Sequence, residues 1–149
     1  GVVNASAAVA AAKVYGSNLG TEKTFETGLS SPNAAIPDND NAGVSNTITV
    51  NGSGITKIEF IEITFSAANH ARMGDLEISL TNTATAGSAV SLLAELHNCD
   101  ACTPYNGWVF GDAFHLNEPA DGTWQLTVKD KKAGTTGNFQ SWKLKFYGT

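Results

Sequence analysis

The sequence predicts an all-β fold, an antiparallel jelly-roll sandwich or barrel of about eight strands behind one short N-terminal α-helix. Three observations predict it. After Gly16, apolar and polar residues alternate in a succession of short runs, the period of half-buried strands. Turn signals separate the runs: Asn51–Gly54, Asn106-Gly107, Asp121-Gly122 and Ala133–Gly137. No stretch with helical spacing lies between them, and Gly, Thr and Asn are abundant, a composition that suits strands and turns.

Residues Asn4 to Tyr15 carry the helix: Asn4 is a good N-cap, six alanines follow, and Gly16 suits the left-handed exit. A helix this short is marginal alone in water, and Val9, Val14 and Tyr15 are its large apolar anchors. It must either lie on the body that follows or belong to a preceding unit. The strands then run in order. Thr47–Val50 comes first, and Ile55–Phe65 alternates in two phases, Ile58 and Phe60, then Ile61, Ile63 and Phe65. A strand that changes phase must bulge or kink, here at Phe60/Ile61. Leu76/Ile78/Leu80, the looser run Val90–Leu96, Trp108/Phe110, Trp124/Leu126/Val128 and Trp142/Leu144/Phe146 complete the set.

At 149 residues with 42% hydrophobic and 15% charged side chains, the chain suits one ordinary domain. Nine Lys and Arg against fourteen Asp and Glu give a net charge of -5. That balance excludes nucleic acid as a partner, because phosphate binding rests on clustered cations. No run approaches the roughly 20 apolar residues of a membrane span. The Ala-rich start lacks a basic leader and carries Lys13, so it is not a signal peptide.

Chemistry is sparse. There is no G-x-S-x-G elbow and no phosphate loop, and His70, His97 and His115 each sit in or beside a loop, where they read as surface or packing residues. The chain by itself is expected not to be an enzyme. His97–Cys102 offers only three metal ligands, with no second C-x-x-C, and the pair Cys99 and Cys102 reads first as a tight disulfide, with free thiols and a metal as the alternatives. Asp38–Gly43 resembles the start of a calcium loop, yet Ala42 occupies the fifth position and Thr49 the twelfth, where an EF-hand needs a bidentate Glu. A plain Asx-type turn is the simpler reading, and a distributed calcium site drawing on Asp38, Asp40, Asp75, Asp112 and Asp130 is the alternative. Asp75 also stands ready to pair with Arg72 as an exposed ion pair. Trp108, Trp124 and Trp142 open strands and read as core ahead of a stacking platform.

The pieces, taken in order, resemble the P domain (P/homo B domain) that follows the catalytic domain in kexin- and furin-like subtilases and in many bacterial secreted proteases. Those pieces are Ile36-Pro-Asp-Asn39, Gly43-Val44, Thr47–Val50, Ile61–Phe65, and His70 and Arg72 before Gly74-Asp75-Leu76. Trp108-x-Phe110, the block Gly122–Asp130, Gly137, Trp142-x-Leu144 and Gly148 follow, so the resemblance spans about Thr24 to Gly148. Two loops depart from the family pattern: Thr81–Gly87 replaces S-P-x-G-T, and His115-Leu-Asn-Glu118 replaces W-G-E. Gly1–Val9 is similar to the start of the last helix of a subtilase catalytic domain.

The resemblance implies residues 1–16 as the closing helix of a catalytic domain, 17–31 as a linker and 32–149 as the P domain. It implies a non-catalytic module of a secreted serine endopeptidase, packed in cis on the catalytic domain and supporting its folding and stability. The alternative is a module that recruits protein substrate or polysaccharide through Tyr105, Trp108 and Phe139.

Overall fold

The computed structural model describes residues 4–18, 20–99 and 102–149. The helix α1 spans Ala5–Asn18. Asn4 caps it, its Oδ1 accepting the Ala7 N–H at 2.9 Å. The helix runs through Gly16 instead of ending there, because an interior glycine costs only about 1 kcal/mol and does not force termination. Every side chain from Asn4 to Tyr15 is exposed, so the helix does not lie on the body that follows. Gly1, the two valines after it and Leu19 lie outside the described residues.

The body holds nine strands among the described residues: β1 (Lys23–Glu26), β2 (Ala34–Ile36), β3 (Val44–Val50), β4 (Ile58–Ala68), β5 (Leu76–Asn82), β6 (Val90–Ala94), β7 (Trp108–Asp112), β8 (Gly122–Asp130) and β9 (Gly137–Gly148). They form two sheets, β1-β9-β4-β7 with β2 added to β9, and β3-β8-β5-β6. All strand pairings are antiparallel. The two sheets stay separate, so the fold is a sandwich and not a closed barrel. The expected all-β architecture with one helix is what the chain adopts.

Residues 23–31, read from sequence as part of a linker, belong to the sandwich. β9 is 12 residues long, and β4 covers only one of its edges. The other edge is filled in turn by β1 on Lys145–Gly148, by Ser30 on Trp142, and by β2 on Gly137–Phe139. A long strand edge left open would leave its backbone groups unpaired, and this segment pairs them.

The core lies between the sheets. Ile61, Ile63 and Phe65 of β4 and Leu144 and Phe146 of β9 face Ile78, Leu80, Leu126 and Val128, all fully buried. Trp124 meets Phe146 across the gap at 5.2 Å between ring centroids. The predicted bulge in β4 exists, but one residue earlier: the register slips between Ile58 and Phe60, so Ile58 and Ile61 both point inward and Phe60 is turned out. β6 reverses the simple reading of its apolar run. Val90 and Leu92 are exposed and Ser91 is buried, because the Ser91 hydroxyl donates to Asp112 on the facing edge strand β7.

Candidate functional site

Two clusters of chemically capable side chains sit at opposite ends of the sandwich, with an aromatic group beside one of them. The first end is built by the segment between β4 and β5. His70 is fully buried, its Nε2 lying 3.2 Å from Asp130 Oδ2 at the end of β8. Asp130 Oδ1 accepts the Lys132 N–H at 2.9 Å. Among the described residues, His70 Nδ1 has no hydrogen-bond partner. The loop can come this close because Gly137 has no side chain, as a Cβ there would stand 2.5 Å from His70 N. Arg72 Nε donates to Asp75 Oδ2 at 3.0 Å. The sequence reads this pair as exposed, but Asp75 is only 2% exposed, drawn in by the 3-10 turn Met73–Asp75. Gly74 packs so tightly on the next loop that an added Cβ would lie 2.6 Å from His97 O and 2.8 Å from Cys99 Cβ. Cys99 and Cys102 are joined as a disulfide, with Cα atoms 5.4 Å apart. Asp100 and Ala101, between them, lie outside the described residues.

The Asp38–Gly43 segment is a capped turn. Asp40 Oδ1 accepts the Ala42 and Gly43 N–H groups at 2.6 and 3.2 Å, and Asn39 takes a left-handed φ of 50°. Asp38 reaches across to the Gly134 N–H at 3.0 Å. The five carboxylates considered for calcium therefore do not converge. Asp38, Asp40, Asp75 and Asp130 share one end but each holds a protein donor, and Asp112 stands at the other end. Among the described residues, no three His, Cys, Asp or Glu side chains gather as a metal site.

The three aromatic residues considered for ligand contact separate. Phe139 is fully buried on β9, 5.4 Å from Phe65, and Tyr105 is 4% exposed, 5.5 Å from Phe65 and from Phe110. Both are core residues, and burial pushes the Tyr105 hydroxyl's pKa up. Trp108 alone presents a face, at 49% exposure, with its ring 5.9 Å from that of Tyr105. The expectation of core packing holds for Trp124 and Trp142, both fully buried, and fails for Trp108, the first residue of the outermost strand. Beside it opens a cleft of about 410 Å³ lined by Asn69, Thr103, Pro104, Asn106 and Gln140.

At the opposite end, Asp112 closes β7 and His115 follows in the turn. His115 Nδ1 lies 2.6 Å from Asp112 Oδ2, and its Nε2 lies 3.1 Å from the carbonyl oxygen of Ala89. Asp112 Oδ1 also accepts the Ser91 hydroxyl at 2.9 Å and the Phe114 N–H at 2.7 Å. Both Asp112 and His115 are buried. Burial opposes ionisation of Asp112, yet the His115, Phe114 and Ser91 donors outweigh it and hold its pKa below the usual carboxylate range. Burial likewise opposes the charged ring of His115, and the Asp112 contact overcomes it and raises its pKa. In the sequence His115 reads as an ordinary surface or packing histidine. The available signals were its spacing of three from Asp112 and its place in the loop that departs from the family's W-G-E.

Comparison with known proteins places the fold and the family. Residues 58–146 match the family model described as the proprotein convertase P-domain. The chain is 32% identical over 99 residues to human proprotein convertase subtilisin/kexin type 4, a match that covers 65% of this chain and 13% of that protein. Among solved structures, it superposes on the serine protease of Aeromonas sobria with a TM-score of 0.71 at 20% identity, covering 92% of this chain and 29% of that one. The structure of that protease in complex with a chaperone gives a TM-score of 0.74 at 20% identity, covering 93% and 29%. These structural likenesses show the shared fold. With a sandwich of this topology and a family match over more than half its length, the chain belongs to the proprotein convertase P-domain family.

Proposed function

We propose that this chain is the non-catalytic P domain of a secreted subtilisin/kexin-like serine endopeptidase and that it supports the folding and stability of the protease domain in cis. The family match over residues 58–146 carries this reading. An interface made only with the folded protease would stabilise that fold by mass action, with no chemistry required of the module itself. Residues 1–16 are then the closing helix of the protease domain. An alanine-rich helix with Val9 and Tyr15 exposed supports this, since its described side chains, residues 5–15, form no buried face of the kind that stabilises most short helices. The test is to produce the parent protease with and without residues 32–149. Loss of the module is expected to lower the yield of folded, active protease and its inactivation temperature. Equal yield and equal heat resistance would refute the role.

A second reading has its own observation, the half-exposed Trp108 beside the cleft between the β4 end and the 103–106 loop. A module that recruits protein or polysaccharide would use that face. Pull-down of the 149-residue chain on collagen, casein and insoluble glycans separates the readings. Retention abolished by Trp108→Ala favours recruitment, and clean flow-through favours the accessory role.

A further inference from the structure

The edge strands β6 and β7 belong to different sheets and face each other on one flank of the sandwich. His115 sits between them, fully buried, and both of its ring nitrogens meet acceptors. Nδ1 faces the Asp112 carboxylate at 2.6 Å, and Nε2 faces the Ala89 carbonyl at 3.1 Å. A backbone carbonyl cannot donate, so Nε2 must carry a hydrogen. A carboxylate held by two further donors, the Ser91 hydroxyl and the Phe114 N–H, stays ionised, so Nδ1 must carry one as well.

We propose that His115 is an imidazolium in the folded domain at neutral pH and that its second proton is a latch tying the start of β6 to the turn after β7.

The surroundings fit a cation. The charged or titratable groups facing the ring are Asp112 at the end of β7 and Glu118 in the same turn, both acidic. The residue before β6 gives the Ala89 carbonyl, which also accepts the Thr81 hydroxyl of β5 at 3.0 Å, and β6 gives the Ser91 hydroxyl, which donates to Asp112; all of these groups are uncharged. From β8 comes the indole of Trp124, edge-on at 5.0 Å. Glu118 in turn accepts the Ser88 hydroxyl at 2.9 Å and the Ala89 N–H at 3.4 Å, so with the His115 contact the segment before β6 is held to this turn at three points, of which only the His115 one titrates with the ring. When the pH rises, the proton lost to solvent is the one on Nε2, because Nδ1–H keeps the shorter, charge-assisted bond to Asp112. The Nε2 lone pair then faces the Ala89 oxygen lone pair, and that contact becomes repulsive.

The sign of the pH dependence follows. A histidine raised in the folded state gives its full stabilisation below its unfolded value of about 6.5 and loses it as the pH climbs through the folded value. Asp112, held low, gives its share above about 3.9 and loses it as the pH falls through its folded value. The latch is therefore closed from mildly acidic to near-neutral pH and opens on the alkaline side.

Nitrogen-15 NMR of the His115 ring in the full chain tests this directly. Two protonated ring nitrogens at pH 7, titrating above about 6.5, are expected. A neutral ring with one bare nitrogen at pH 7 overturns the proposal. Hydrogen exchange supplies the structural readout. Protection of amides 90–94, corrected for intrinsic rates, should fall relative to β8 as the pH passes through the His115 titration, and unchanged relative protection overturns the latch. In His115→Gln the melting temperature should lose the part of its alkaline decline that tracks this titration, and a decline identical to the parent's counts against it. Should that variant not fold, the ring spectrum of the unaltered chain still decides.

Discussion

Asn46 shows how one polar residue on an edge strand can join both sheets. It lies on β3, and its Oδ1 accepts the Trp142 indole N–H of the other sheet and the Ser30 hydroxyl, both at 2.8 Å. Asn46→Ala leaves the N–H of a fully buried tryptophan without its acceptor, at a cost of about 1–3 kcal/mol. Urea unfolding with an unchanged slope should report that loss, and a variant within about 0.5 kcal/mol of the parent would mean the indole has found another acceptor. Gly137 is a second such position. Its missing side chain lets the His70 backbone approach, so Gly137→Ala should destabilise by about 1–3 kcal/mol through overpacking, read as a lowered melting temperature. Gly137 and His70 stand out in the sequence as family pieces, but their contact does not, because 67 positions separate them and only the β4–β9 pairing brings them together.

At the scale of elements, the strands were largely legible and their exact phases were not. The two-phase run Ile55–Phe65 announced a bulge, but its place was set by how β4 pairs with β9. β6 misled for a related reason: its burial is decided by the Ser91–Asp112 bond across the flank, and no local pattern encodes a partner 21 residues away. The Cys99–Cys102 link illustrates an element of small energetic reach. It closes a ring with a sequence separation of 3, so by loop-closure entropy it contributes about 2 kcal/mol at most. Replacing both cysteines with serine should lower stability by no more than that in denaturant unfolding under oxidising conditions. A loss well above it would show that the loop packed on Gly74 depends on the link.

For the whole molecule, the division of the chain follows from burial. Side chains 4–15 are exposed throughout, while the segment from β1 onward is paired into the sheets. Removing residues 1–19 should therefore leave the urea midpoint of the sandwich unchanged within error. A loss of more than about 1 kcal/mol in the unfolding free energy obtained from that curve would show that the helix contributes to the body. Removing residues 1–31 should destabilise, because that cut also takes β1 and the Ser30 bridge from the open edge of β9.

The sequence by itself determined the all-β class, the helix and its cap, most strand positions and the family, because each is written in local periodicity, turn chemistry or motif order. Only the tertiary structure decided which strands share a sheet, that residues 23–31 complete an edge, that Tyr105 and Phe139 are core while Trp108 is not, and that His115 has an acceptor at each ring nitrogen. The reason is physical. Burial and protonation depend on what arrives from distant parts of the chain, and a residue's neighbours in sequence do not specify its neighbours in space.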